Sequence, residues 1–364
     1  MQTMHLTLPV GAFGWDNNPL TEDEFRARIE ALRAIVTARG WAGVIVFGDI
    51  PESGLLTYVS NFAPRLSPAF ALIPLTGEPE ILSLDGGRMV DAGKETTWMT
   101  KVSPAAADLA GPMQEWLDQF GANPSIGLAG FEIMPAAIHG EIAGLAGIHA
   151  GADASLALAG LARCKSAAEL AILRENCEML SQAAVACTET YANGASAAAA
   201  TIAAERAARM AGAQDVRCLY SVDGGNSFKP YQGADDGLGD PAIVYIALRG
   251  RGYWVDGFVT IGQSDAAHAA AASALEKAVT AIRAGRAVKE TGSPSGHPLL
   301  AGSMGNGIGV SLQEAPRLDG GDDAFSAGDV VSVKIGVGDP SSGFGFASGL
   351  LHVGDTGNEM LWQS

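Results

Sequence analysis

Positive charge is scarce in this sequence. Lys and Arg total 23 against 40 Asp and Glu, for a formal net charge of −17. Affinity for a phosphate backbone comes from clustered Lys and Arg, so nucleic acid and anionic membrane surfaces are poor partners for this chain. Cysteine is sparse as well. Cys164, Cys177, Cys187 and Cys218 stand singly, without CxxC spacing, and read as small buried hydrophobes in a reducing cytosol. Long apolar runs are missing too: the most apolar window, Ala143 to Ala162, consists of small residues and is interrupted by His149 and Asp153. That is too weak for a membrane span. Met1 to Trp15 has no basic start followed by an apolar run and does not read as a secretory signal. The expected location is cytoplasmic. Nothing in the chain has the form of a Ser-His-Asp triad, a phosphate loop or a zinc cluster.

What is present is an ordinary globular composition, 48% hydrophobic and 17% charged over 364 residues. A chain of that length accommodates two cores, and two domains are expected. Thr21 and Glu24 form a capping box ahead of Phe25, Ile29, Leu32, Ile35 and Val36 at helical spacing. Short apolar runs at Ala42–Phe47, Ala69–Leu75, Glu80–Leu84 and Ile126–Ala129 read as strands, alternating with helical stretches near Ala106–Phe120 and Ala136–Ala146. This pattern predicts an α/β amino-terminal domain over 1–157. A second capping box, Ser166 with Glu169, opens a long helix through Ala192, and an Ala-rich helix follows over Ser196–Ala211. Strands are expected at Val216–Val222, Ala242–Leu248 and Tyr253–Ile261, a helix at Ala266–Ala284, and strands again from Ile308 onward. Helices followed by strands, twice over, predict an α+β domain with an antiparallel sheet over 158–364.

The most informative stretch is Gly302 to Leu318. Gly305, Gly307 and Gly309 alternate with larger residues and lead into Gln313-Glu314-Ala315-Pro316. A backbone without β-carbons turns past something there and then presents one carboxylate. The stretch resembles the Gly-His-Gly-Ile-Gly…His-Glu-x-Pro signature of the pita-bread family, which includes methionine aminopeptidase, prolidase, aminopeptidase P and creatinase. Asn306 stands at the first His and Gln313 at the second. Other segments resemble the same family in the same order: Phe25-x-x-Arg-Ile-x-x-Leu-Arg, Ala42 to Phe47 and Leu56 to Phe62 in the amino-terminal domain, and the junction Leu161 to Leu170. Gly239-Asp240…Gly252-Tyr253-x-x-Asp256 and Phe325-x-x-Gly-Asp-Val-Val-Ser-Val continue the series. The resemblance covers residues 20 to 360. It implies a creatinase-like amino-terminal domain, a pita-bread domain and a homodimer.

Metallopeptidases of this family hold two divalent metals with Asp, Asp, His, Glu and Glu. By correspondence these positions are Tyr245, Asp256, Asn306, Glu314 and Ser348. Phenol, amide and hydroxyl are poor ligands for a dication, so no metal or other cofactor is expected. The loss has three readings. One is metal-free hydrolysis of a small compound, which creatinase performs with a His and carboxylates, although that His falls on Tyr231 here. Another is a different metal-free hydrolysis or elimination. The last is a non-catalytic binding domain like the peptidase-like module of the FACT histone chaperone.

The preferred reading is a metal-independent hydrolase or lyase acting on a small polar molecule. The resemblance implies that Asp256 and Glu314 face one another in the pocket, and they would be catalytic, since two close carboxylates push one pKa up and set a proton donor beside an acceptor. Tyr231, Tyr245, Asn306, Gln313 and Ser348 would hold the substrate by hydrogen bonds. Lys229 and Arg65 suit a substrate carboxylate, Arg65 by reaching a neighbouring subunit's site as the resemblance implies. His297, in a Gly/Pro loop, would act as a lid or base, and His352 is expected in the last strand. The competing enzyme reading is a Xaa-Pro aminopeptidase or dipeptidase, which needs metals.

Overall fold

The computed structural model describes residues 19–64, 66–231, 241–262, 266–291, 297, 300, 302–339, 341 and 343–364. The chain divides between Ala162 and Arg163 into two compact units. In the first, a six-stranded mixed sheet has the order β4-β3-β2-β1-β5-β6. Its strands are β1 (Gly43–Gly48), β2 (Ala69–Pro74), β3 (Glu80–Ser83), β4 (Lys101–Pro104), β5 (Ile126–Ala129) and β6 (Ala152–Asp153). Strand β1 is buried along its whole length. It pairs antiparallel with β2 and parallel with β5, which is why it reads as a continuous apolar run rather than an alternating one. Helix Glu22–Arg39 starts where its cap predicts, with the Thr21 hydroxyl accepting from the Glu24 amide. The Glu24 carboxylate, however, pairs at 2.8 Å with the buried Arg28 guanidinium. Arg28 lies over the rings of Phe25 and Tyr58, and a cation that deep requires a counter-charge. The predicted helix at Ala136–Ala146 is two short ones, Ala136–Ile142 and Ala146–His149.

The second unit begins with the capping box at Ser166, complete here in both directions, and helix Ala167–Ala192. Helix Ala197–Met210 follows. Strands β7 (Asp215–Ser221), β8 (Ala242–Gly250) and β9 (Tyr253–Ile261) form a three-stranded antiparallel sheet. A five-stranded sheet has the order β11-β10-β12-β13-β14, from β10 (Gly305–Gly307), β11 (Glu314–Arg317), β12 (Val330–Asp339), β13 (Gly343–His352) and β14 (Glu359–Gln363). Strand β12 sorts its side chains by the period of two. Val331, Val333 and Ile335 join Ala271, Leu275 and Ala278 of helix Ala266–Ala281 in one core. Ser332 and Lys334 therefore point to the opposite face, where they reach the three-stranded sheet.

Among the described residues, no helix is long and apolar enough to cross a membrane. The four cysteines are free thiols, Cys164 exposed, Cys218 part-buried, and Cys177 and Cys187 buried. Burial pushes the Cys177, Cys187 and Cys218 thiols up to about 12.

Candidate active site

Cross-strand pairing decides which side chains meet. In β8 and β9, Ala247 lies opposite Asp256 and Tyr245 opposite Phe258, so Tyr245, Asp256 and Phe258 share one face of the three-stranded sheet. In the other sheet, Lys334 lies opposite Ser348, and Ser332 is flanked by Asn306 and Leu350. Asn306, Ser332, Lys334 and Ser348 thus share one face as well. The two faces meet at Asp256.

Asp256 is a wholly buried carboxylate with three partners. The Tyr245 hydroxyl donates to Oδ2 at 2.7 Å. The Ser332 hydroxyl donates to Oδ1 at 2.5 Å. The Lys334 ammonium stands 2.7 Å from Oδ2, its side chain 10% exposed and that of Asp256 0%. Burial, then the neighbouring Asp256 charge, holds the Tyr245 phenol well above its ordinary 10.0, so it serves as a proton donor and not as an anion.

Glu314 has a lysine of its own. Lys165 Nζ lies 2.6 Å from Glu314 Oε2, with side-chain exposures of 1% and 11%. The Ser311 amide donates to Oε1 at 2.9 Å. The lysine is anchored through its backbone, whose N–H donates to Gly328 O at 2.9 Å just before the capped helix begins. Room for the pair comes from Gly309: a β-carbon there would lie 2.5 Å from Lys165 Cε and 2.9 Å from Glu314 Oε1. The third glycine of the motif thus makes space for an ion pair.

The remaining candidates take varied positions. Ser348 is fully buried, and its hydroxyl accepts from the Phe258 amide at 2.7 Å. The Asn306 amide donates to Gly307 O at 2.7 Å and Leu312 O at 3.0 Å. His297 is packed, not at a loop tip: Nε2 lies 2.8 Å from Gly225 O and the ring stands edge-on to Phe344 and Phe346. Those two phenylalanines and Phe258 form an aromatic cluster with Phe228 and Tyr245. Lys229 is half-buried, 5.8 Å from the Tyr220 ring centre. Tyr231 and Gln313 are exposed, and His352 Nδ1 stands 3.6 Å from Glu359 Oε2. Arg65 lies outside the described residues. Asp256 and Glu314, expected as a donor and acceptor facing one another, each stand against an ammonium of their own. Sequence reasoning missed Lys165, Ser332 and Lys334. The available signal was Ser332 and Lys334 at alternate positions inside the apolar run Val330–Val337.

A family model for metallopeptidase family M24 matches residues 171–355, half of the chain. The chain belongs to metallopeptidase family M24. Solved structures of similar fold include the prolidase from Pyrococcus horikoshii OT3, at 18% identity and TM-score 0.73, covering 92% of this chain and 97% of that one. The X-Pro aminopeptidase from Thermotoga maritima MSB8 has 16% identity and TM-score 0.74 over 92% and 97% of the two chains. The amino-terminal domain of a FACT complex subunit from chickpea, Cicer arietinum, has 12% identity and TM-score 0.66 over 93% and 96%. At these identities the likeness is one of fold. A comparison with curated proteins gives no match.

The two-metal centre of M24 peptidases does not fit these residues. Two dications call for several anionic oxygens and a His, with bridging carboxylates. At the five positions that the sequence resemblance assigns to the metal ligands, this M24 chain has two carboxylates, each against an ammonium, and three neutral groups already engaged in hydrogen bonds. No group of three His, Cys, Asp or Glu side chains able to hold a metal occurs among the described residues.

Proposed function

We propose that this M24 chain is a metal-independent hydrolase or lyase acting on a small polar organic molecule, with a C–N bond as the bond at stake. The observation that carries the reading is that Asp256 and Glu314, which the sequence resemblance assigns to the family's metal site, are each paired with a buried lysine. Glu314 is the better candidate for moving a proton. Its side chain keeps some access to solvent, whereas Asp256 is sealed. Glu314 would take a proton from water or from the substrate, while Lys165 and the Ser311 amide fix its orientation. The aromatic cluster beside Tyr245 gives that side of the site an apolar wall.

This proposal leaves out a metal-dependent Xaa-Pro peptidase, although a prolidase and an X-Pro aminopeptidase are among the proteins of similar fold. A non-catalytic binding protein is the second reading, favoured by the engagement of both Asp256 oxygens with internal donors. A panel of small amides, ureas and guanidino compounds, assayed with and without chelator, separates the two. The hydrolase reading predicts chelator-resistant turnover that falls by about 10²–10⁴-fold in Glu314→Gln, the range for removing a general acid or base, with unchanged far-UV circular dichroism. Binding without turnover in the wild-type chain supports the second reading. Turnover abolished by chelator contradicts both.

A further inference from the structure

The lysine at Asp256 extends the metal-free reading, on which the following rests. We infer that Lys334 is a tethered counter-cation: its ammonium does at Asp256 the electrostatic work of a metal ion and keeps divalent cations out. Lys334 has the right neighbours for this. It lies directly opposite Ser348, the position of a bridging carboxylate in the metallopeptidases, and on the same sheet face as Asn306, the position of the His ligand. Its Nζ contacts the one aspartate kept from that ligand set, 2.7 Å away, and both side chains are buried.

Charge accounting supports the assignment. A buried carboxylate without a cation is costly, and removing its counter-charge is more damaging than removing both members of the pair. Tyr245 and Ser332 complete the shell, each donating one hydrogen bond to a different Asp256 oxygen. The three donors hold Asp256 where β8, β9 and β12 meet. Lys334 is accordingly a positioning residue: it acts through Asp256, to which β8 and β12 are also joined by Tyr245 and Ser332. In this assignment covalently attached monocations stand at Asp256 and Glu314 where the metallopeptidases of the family hold two dications. Lys165 at Glu314 is the second such monocation.

The test uses the full-length protein and reads thermal stability and metal binding. Lys334→Ala should lower Tm by roughly 6–20 °C, the range for stranding a buried charge in a domain of this size. n-Propylammonium chloride should recover part of that loss by entering the vacated space. Tetramethylammonium chloride at equal ionic strength, which has no N–H, should not. In parallel, calorimetry with Mn²⁺ and Co²⁺ compares two reversion chains. Tyr245→Asp, Asn306→His and Ser348→Glu together should stay unable to bind metal while Lys334 remains, and should gain binding when Lys334→Met is added. Should the four-fold variant not fold, the amine rescue still decides. An unchanged Tm in Lys334→Ala, or equal metal affinity with and without Lys334, would overturn the counter-cation role and leave the metal-free reading standing. Stoichiometric Mn²⁺ on the wild-type chain would overturn the metal-free reading itself.

Discussion

Replacing Lys165 by Met should cost about 3–5 kcal/mol of stability, the usual penalty for leaving a buried charge without its partner. Glu314 sits against Lys165 at 2.6 Å with 11% of its side chain exposed, so the lower part of that range applies. The effect depends on context and not on the lysine as such. In the double variant Lys165→Met with Glu314→Leu, no charge is stranded, and most of the lost stability should return. Denaturant unfolding of the two single variants and the double variant checks this, read as a coupling energy. If the double variant is as unstable as the sum of the singles, the pair is not a unit. Glu314→Gln is milder, because its amide oxygen can still accept from Lys165 and from the Ser311 amide that now reaches Oε1. That substitution therefore suits the activity assay, and Lys165→Met suits the stability measurement.

The glycines of the motif make the second large prediction, and the three positions should behave differently. A β-carbon on Gly305 would lie 1.8 Å from Ser332 O, and the residue's φ of +122° is one that L side chains rarely adopt. At Gly307 the β-carbon would lie 2.0 Å from Ala315 O. Both obstacles are backbone, so β10 could not keep its place between β11 and β12. Gly305→Ala and Gly307→Ala should each cost more than the ~1–3 kcal/mol typical of an overpacked core and should not accumulate as folded protein. Gly309→Ala meets mainly the end of the Lys165 side chain, 2.7 Å from Nζ. That chain should fold, with Lys165 pushed off Glu314, and share the stability loss of Lys165→Met. Soluble yield and unfolding midpoints of the three variants check this ordering. A folded Gly305→Ala chain, or a Gly309→Ala chain as stable as wild type, would contradict it.

Much of the fold was legible in the sequence because its signals are local. The Ser166 capping box acts within four residues, and the buried runs at Ala69 and Ile126 begin at the residues where β2 and β5 begin. Alternating glycines indicate a close backbone approach, and the partners are the carbonyls of Ser332 at Gly305 and of Ala315 at Gly307. The neutral residues Tyr245, Asn306 and Ser348, at the positions the resemblance assigns to metal ligands, were visible as residue identities. The charges that compensate for them were not. Lys165 joins Glu314, and Lys334 joins Asp256, across long stretches of chain. Nothing near either lysine in sequence marks it as paired. Lys165 precedes a helix cap, where a lysine is ordinarily solvated. Lys334 differs only in standing inside an apolar strand. Register explains what spacing could not: the β8–β9 hairpin sets Tyr245 diagonally across from Asp256, and the β12–β13 hairpin sets Lys334 opposite Ser348. Once those two hairpins face each other, the lysine has one anion to meet.

Metal content tests the central claim most directly. The wild-type protein, purified without chelator and equilibrated with manganese, cobalt or zinc, should carry only trace metal by elemental analysis. Tethered ammonium groups at Asp256 and Glu314 leave no charge for a dication to balance. About two equivalents of a transition metal per chain, as a dinuclear M24 centre would hold, would contradict the account and require both lysines to leave their carboxylates.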